Sequence, residues 1–148
     1  MIDHYVFTTL AQYYHALPKN KSLAILIVLS SKHSVKETID RLVILLHRAD
    51  MTIYARINRQ AEAKWYAMVI QPLEYILFDD PRISVPLFES NPMLALCFPV
   101  RLIAWEDEVG RCQIAFRDPL DTMKEFGVAR EDSRWPDLRP LIALVLSE

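Results

Sequence analysis

Four carboxylates lie close together in the second half of the chain, at Glu106, Asp107, Glu108 and Asp118. Carboxylates at this density are the side chains that bind hard cations or act as an acid/base pair. A cation site needs several oxygens within about 2.0–2.6 Å of one ion, yet consecutive residues at a strand end point in different directions. Gly110 favours a turn, because glycine adopts positive φ without steric cost. We therefore expect a solvated hairpin tip rather than a metal or acid/base site.

A second acidic pair, Asp79 and Asp80, stands directly before Pro81. Asp before Pro is typical of turn initiation, and Arg82 can neutralise a neighbouring acid. Two carboxylates share a proton only when the fold forces them together. We expect a turn here as well.

The histidines and nucleophiles show no spacing that is typical of catalysis or metal binding. The chain has four histidines, at His4, His15, His33 and His47. No two of them are separated as in HxH, HxxxH or HxxxxH ligand pairs. Cys97 lies in the apolar stretch LALCF, which raises a thiol pKa, and Cys112 is a weak candidate for a reactive thiol. We predict no catalytic residue, no metal and no cofactor.

Composition narrows the classes of partner. The chain has 148 residues, most simply one domain, with 17 basic and 19 acidic side chains and a formal charge of −2. There is no basic excess to bind phosphates, so nucleic acid is disfavoured. The longest apolar run, residues 23–29, is too short to span a bilayer, and the first ten residues lack a basic signal region. The chain has only two glycines, too few for a Gly-rich phosphate-binding loop. We predict a cytoplasmic protein.

One helix stands out among the elements that must position these residues. It is predicted from Val35 to Ala49, where Ser34 and Glu37 match the capping box S-x-x-E. Its apolar residues recur on one face, as Val35, Ile39, Leu42, Val43 and Leu46. Such a helix must lie on a sheet.

Strands are predicted at residues 22–30, 51–57, 65–70, 73–78, 100–106 and 111–117. In the 51–57 strand, Tyr54 and Arg56 alternate with apolar residues and project from the opposite face. Short helices begin at Pro92 and Pro119, each after a capping side chain. Further helices are predicted at 7–16 and along Leu138–Leu146. The strands outnumber the helices that could connect them, which favours an α+β layered domain over a doubly wound parallel sheet.

Several blocks, in order along the chain, resemble one family. They are SVKETIDRL at 34–42, ARI at 55–57, PL at 86–87, LIAWED at 102–107 and FRDP at 116–119. Over residues 22–126 the chain resembles the domain of unknown function 302 family. The resemblance implies a helix-grip fold like that of TATA-binding protein, with a curved, mostly antiparallel sheet packed on one face by a long helix. It implies no established activity or cofactor, and because dimers are seen among members, we expect a homodimer. Asn58 and Arg59 stand where relatives often have an Asp-His pair.

These patterns predict a single domain over 1–148, with an extension at 1–21, a core at 22–126 and a helical tail at 127–148. The first functional hypothesis is a small-molecule-binding or interaction module whose groove residues are Tyr54, Arg56, Trp65, Arg101, Trp105 and Asp118. For each of them, sheet packing or a surface ion pair is the structural alternative. Two other hypotheses stay open: an enzyme with a non-obvious site, and a purely structural homodimer formed through the apolar C-terminal helix.

Overall fold

The helix α1, Val35–Arg48, is the longest element in the part of the chain that the computed structural model describes, residues 26–148. The Ser34 hydroxyl oxygen accepts a hydrogen bond from the Glu37 backbone N–H at 3.2 Å, which confirms the predicted cap. The apolar face is buried, with Ile39 and Leu42 at 0% exposure. The helix predicted from the capping box and the apolar spacing is therefore present.

The sheet has five strands, β1 to β5, at Leu26–Ser31, Thr52–Asn58, Leu73–Asp79, Val100–Glu106 and Cys112–Arg117. They are arranged in the order β1-β5-β4-β3-β2, and every neighbouring pair is antiparallel. Because β1 and β2 lie at opposite edges, the connecting helix α1 must cross the whole sheet. The predicted α+β architecture, an antiparallel sheet with a long helix on one face, is confirmed.

The core lies between α1 and one face of the sheet. Its fully buried strand residues include Ile76, Phe78, Leu102, Ala104 and Ile114. The C-terminal helix α5, Arg139–Ser147, adds Ile142 and Leu146 to the same core. Each of the large apolar side chains among them stabilises the fold by about 1.5–3 kcal/mol through burial. The apolar side of α5, which the sequence suggested as a dimer contact, thus packs within this chain.

Three shorter α-helices, α2 at Arg59–Trp65, α3 at Pro81–Ser90 and α4 at Pro119–Lys124, and two 3-10 helices, at Pro92–Leu96 and Arg130–Asp132, complete the elements of the described residues. The first two are not predicted from the sequence. Asn58 caps α2 by accepting from the Ala61 N–H, and Asp80 caps α3 by accepting from the Arg82 N–H. The turn expected at residues 79–82 is therefore the start of a helix.

The strand predicted at 65–70 is wrong. Trp65 ends α2, Ala67 has a φ of 54°, and the apolar side chains between them and β3 are exposed, Val69 at 98%. A short apolar run does not by itself establish a strand, because its periodicity cannot separate a strand from a helix segment, and here Trp65 belongs to a helix. The predicted helix at 7–16 and the extension at 1–21 lie outside the described residues.

A β-bulge in β2 decides which side chains face α1. The register shifts between Ile53 and Ala55, so that Ile53 pairs with Phe78 and Arg56 pairs with Ile76. Cross-strand partners share a face, so Ile53 and Arg56 both lie on the helix-covered side, while Ala55 is on the other. The prediction that Arg56 projects away from the face of Ile53 is wrong, because the bulge inserts one residue between them.

Candidate functional site

The acidic stretch at 106–108 is the turn between β4 and β5. The Asp107 carboxylate accepts backbone hydrogen bonds from Val109 at 3.1 Å and from Arg111 at 2.9 Å. The backbone N–H of Arg111 is the main reason that the pKa of this carboxyl is lowered. Gly110 has a φ of 79°, as a turn glycine should. Across residues 26–148, no group of three or more His, Cys, Asp or Glu side chains is placed to hold a metal ion.

Asp118 is a buried helix cap. It is 4% exposed, and its Oδ1 accepts from the Leu120 N–H at 3.0 Å at the start of α4. Its Oδ2 accepts no hydrogen bond from residues 26–148, and the nearest cation is Nε of Arg139 at 3.8 Å. A cavity of about 10 Å³ adjoins this carboxylate, beside Trp135. That volume suits about one water molecule, not an organic ligand.

Arg56 belongs to an ion network that joins α1 to the sheet. Its Nε donates to Oε2 of Glu74 at 2.9 Å, and Nη1 donates to Oδ1 of Asp40 at 2.5 Å. The Asn58 amide also donates to Glu74, at 3.3 Å. Lys36 and then Arg56 donate to Asp40 and thereby lower the pKa of its carboxyl. The network links a strand to a helix at a partly exposed position, and Arg56 is occupied by two protein carboxylates.

Two of the predicted aromatic residues, Tyr54 and Trp65, have separate surroundings. The Tyr54 hydroxyl donates to Oδ1 of Asp79 at 2.8 Å. Trp65 is 83% exposed and borders a shallow cleft of about 520 Å³ with Tyr66, Met68 and other residues around α2. Within residues 26–148, neither Tyr54 nor Trp65 contacts Asp118.

Among the described residues, the face of the sheet opposite α1 is largely apolar; because α1 covers only the other face, we call it the open face. Alternation along each strand sends the neighbours of the core residues to this side. The register joins one row of side chains across all five strands, namely Val28, Ala115, Ile103, Tyr75 and Ile57. Trp105 lies in the adjacent row, opposite Gln113 and Leu73. Val28 is 50% exposed.

One end of the open face forms a cleft of about 560 Å³, which we call the β4–β5 cleft. The loop 95–99 forms a wall, and apolar side chains including Leu26, Leu77, Leu96 and Ile103 line the interior. Two charged residues, Arg101 and Arg117, also line it. The Arg101 guanidinium carbon lies 5.3 Å from the centre of the Tyr75 ring, a cation–π distance.

Cys97 is at the cleft as well, but its thiol is not activated. Burial, with a smaller contribution from the charge of Glu125, raises the pKa of Cys97 to about 11. Burial also raises the pKa of Cys112, which lies in the core. Thiols with raised pKa values are poor nucleophiles at neutral pH.

The six predicted ligand residues therefore do not line one cavity. Arg101 lines the β4–β5 cleft, and Trp105 is on the same open face but outside the cleft lining. The other four have the separate placements described above, and a ligand-binding role for the set stays a prediction. Sequence analysis missed Arg117. The sequence contained the information needed to find it. If the two strands of the predicted hairpin are paired outward from their turn, residue 117 lies opposite residue 101.

The comparisons with known proteins show a family and a fold. Fluoride-specific ion channel FluC 1 of Brucella suis biovar 1 is 32% identical over 94 residues, which are 64% of this chain and 37% of that protein. Fluoride-specific ion channel FluC 2 of Brucella melitensis biotype 1 is also 32% identical over 94 residues, or 35% of its length. The chain thus spans little more than a third of these relatives. Within residues 26–148, no helix is long and apolar enough to cross a membrane.

A solved structure has the same fold. The crystal structure of an uncharacterized conserved DUF302 protein from Bacillus stearothermophilus matches with a TM-score of 0.68 at 14% identity, covering 84% of this chain and 98% of that one. The model of the family Domain of unknown function DUF302 matches residues 27–136, well over half of the sequence. The chain belongs to the DUF302 family.

Proposed function

We propose that this protein is a small-molecule-binding module and that its ligand occupies the β4–β5 cleft. The observation that carries the proposal is the size and lining of that cleft, about 560 Å³ of mainly apolar surface with two arginines at its edge. Ligand sites typically enclose about 300–1,000 Å³ and combine apolar walls with a few polar groups that orient the ligand.

The partial match to longer proteins supports a module rather than a complete catalytic unit. Over 94 residues this chain resembles a part of proteins named as fluoride-specific ion channels, so the same kind of unit occurs within larger chains. The raised thiol pKa values disfavour the enzyme alternative, since they remove both cysteines as ready nucleophiles. The cytoplasmic location stays a prediction.

The test uses Nile red, a neutral apolar dye whose fluorescence rises on leaving water. Leu96 is 75% exposed in the wall of the cleft, so Leu96→Asp should be tolerated by the fold and should weaken dye binding. Met93 is 54% exposed in the same segment but does not line the cleft, which makes Met93→Asp the matched control. Dye binding that is equal in both variants, or absent from the wild-type protein, would overturn the proposal.

A structural homodimer is the second candidate function, and one surface favours it. Residues 65–70 carry a group of exposed apolar side chains: Trp65, Tyr66, Met68, Val69 and Ile70. Contiguous exposed apolar surface often marks a protein contact. Light scattering on the eluting protein should report a dimer that Trp65→Ser with Val69→Ser converts to a monomer. A wild-type monomer at high protein concentration would remove this candidate.

A further inference from the structure

Two arginines face each other across the strands at the β4–β5 cleft. One step beyond the Leu102–Phe116 pair, the register of β4 and β5 sets Arg101 opposite Arg117. Both are exposed and both line the cleft. Within residues 26–148, neither guanidinium forms an ion pair with a carboxylate. The next residue, Asp118, caps α4 from inside the protein, as described above.

This arrangement is unfavourable for the protein alone. Like charges directly opposite on neighbouring strands destabilise a sheet, and the apolar residues of the cleft reduce the screening by water. Several other arginines of the described residues are paired with acids, for example Arg82 with Asp80 at 2.8 Å and Arg139 with Asp137 at 2.6 Å, although Arg48 and Arg134 are exposed and form no ion pair within residues 26–148. The open face therefore presents two arginines that no carboxylate of residues 26–148 pairs with directly, beside an apolar space.

We propose that the β4–β5 cleft binds a small organic anion with an apolar body, whose carboxylate lies between Arg101 and Arg117. This inference rests on the proposed binding function and names the class of its ligand. Guanidinium groups form directed, charge-assisted hydrogen bonds with carboxylates. An anion between the two cations replaces their repulsion by two attractions, while the apolar body of the ligand covers the side chains of the cleft.

The test compares three probes of equal carbon number, each below its micelle concentration: decanoate, decanol and the cationic decylammonium. Calorimetric titration should show decanoate binding at least about tenfold more tightly than decanol, with the cation weakest. Added salt should weaken decanoate binding and leave decanol binding unchanged or stronger.

The variants Arg101→Gln and Arg117→Gln should each reduce decanoate affinity about tenfold and leave decanol affinity unchanged. Arg48→Gln removes one exposed positive charge at the end of α1, away from the cleft, and should change neither affinity. Urea unfolding is the control for folding. Arg117→Gln should be at least as stable as the wild-type protein, because it removes one member of a repelling pair, whereas Arg101→Gln also loses the contact with the Tyr75 ring and should have a nearly unchanged midpoint.

The outcomes separate the two proposals. Equal affinity for decanoate and decanol, lost in Leu96→Asp, would overturn anion recognition and leave the binding module standing. If neither probe nor Nile red binds, both proposals fail. If the Arg48 variant weakens decanoate binding as much as the cleft variants do, the attraction comes from general surface charge, and the proposed site is overturned.

Discussion

Replacing Arg56 by methionine should destabilise the fold far more than breaking an ordinary surface ion pair. The Glu74 side chain is only 7% exposed, whereas those of Arg56 and Asp40 are 34% and 39% exposed. Breaking a fully buried pair costs about 3–5 kcal/mol, and breaking an exposed pair costs about 0–1 kcal/mol. In this network only Glu74 is buried, water still reaches the other two side chains, and Glu74 keeps its hydrogen bond from Asn58. We therefore expect Arg56→Met to lower the free energy of unfolding by about 2 kcal/mol.

The assay is urea unfolding, with a double-mutant cycle to isolate the pair. Arg56→Met leaves the Glu74 charge buried without its cation, whereas Glu74→Gln removes that charge. In the Glu74→Gln background, Arg56→Met should therefore cost less than about 1 kcal/mol. Thermal unfolding should show a matching decrease of about 4–8 °C for the single variant, at about 2–4 °C per kcal/mol for a chain of this size.

The control is Arg59→Met, which removes an ion pair with Glu62 at 2.7 Å whose side chains are 50% and 40% exposed. It should cost less than about 0.5 kcal/mol. If Arg56→Met costs no more than Arg59→Met, or if the cycle gives no coupling with Glu74, the network contributes nothing special and the reasoning from burial is refuted.

Three further predictions follow from named groups. The lowered pKa of Asp40 means that its ion pairs stabilise the fold above its ordinary value of 3.8, and this contribution is lost as the pH falls through the folded-state pKa. The stability difference between the wild-type protein and Asp40→Asn, measured by urea unfolding, should thus shrink below about pH 4; a constant difference would contradict it. Iodoacetamide near neutral pH should leave Cys97 and Cys112 unmodified in the folded protein and label both in urea, as read by mass spectrometry; rapid labelling of the folded protein would show that burial does not protect them. Gly110→Ala should cost about 1–2 kcal/mol, because φ is 79° although a Cβ meets no atom within 4 Å; an unchanged denaturation midpoint would show that the turn adapts.

The sequence predicted the elements whose signals are local. The capping box fixes the start of α1, and alternation between turns marks β3, β4 and β5 to within a residue or two. The exposed run at 65–70 misleads because its side chains are apolar but are not in the core. α2 and α3 were missed because their caps, Asn58 and Asp80, resemble turn residues, and only tertiary packing shows that a helix follows.

The candidate site was harder to predict, because it depends on pairing between strands. The bulge at Tyr54 has no glycine to announce it, and without it Arg56 and Ile53 would lie on opposite faces. Arg101 lies opposite Arg117 because of the register between β4 and β5. That register can be predicted from a hairpin only if the turn is placed at the correct residues. Single-residue reasoning therefore selected Arg101 and passed over Arg117.

The arginines on the two faces of the sheet have different partners, and this difference indicates which of them can bind a ligand anion. On the covered face, the bulge places Arg56 between Glu74 and Asp40, so both the charge and the hydrogen-bonding groups of the side chain are used by the fold. On the open face, Arg101 contacts the Tyr75 ring, and Arg117 stands opposite it without an acid. A guanidinium already held by two carboxylates gains little from a ligand anion, whereas an unneutralised pair gains twice. If a variant of Arg56 lost decanoate binding while remaining folded, this division of roles between the two faces would be wrong.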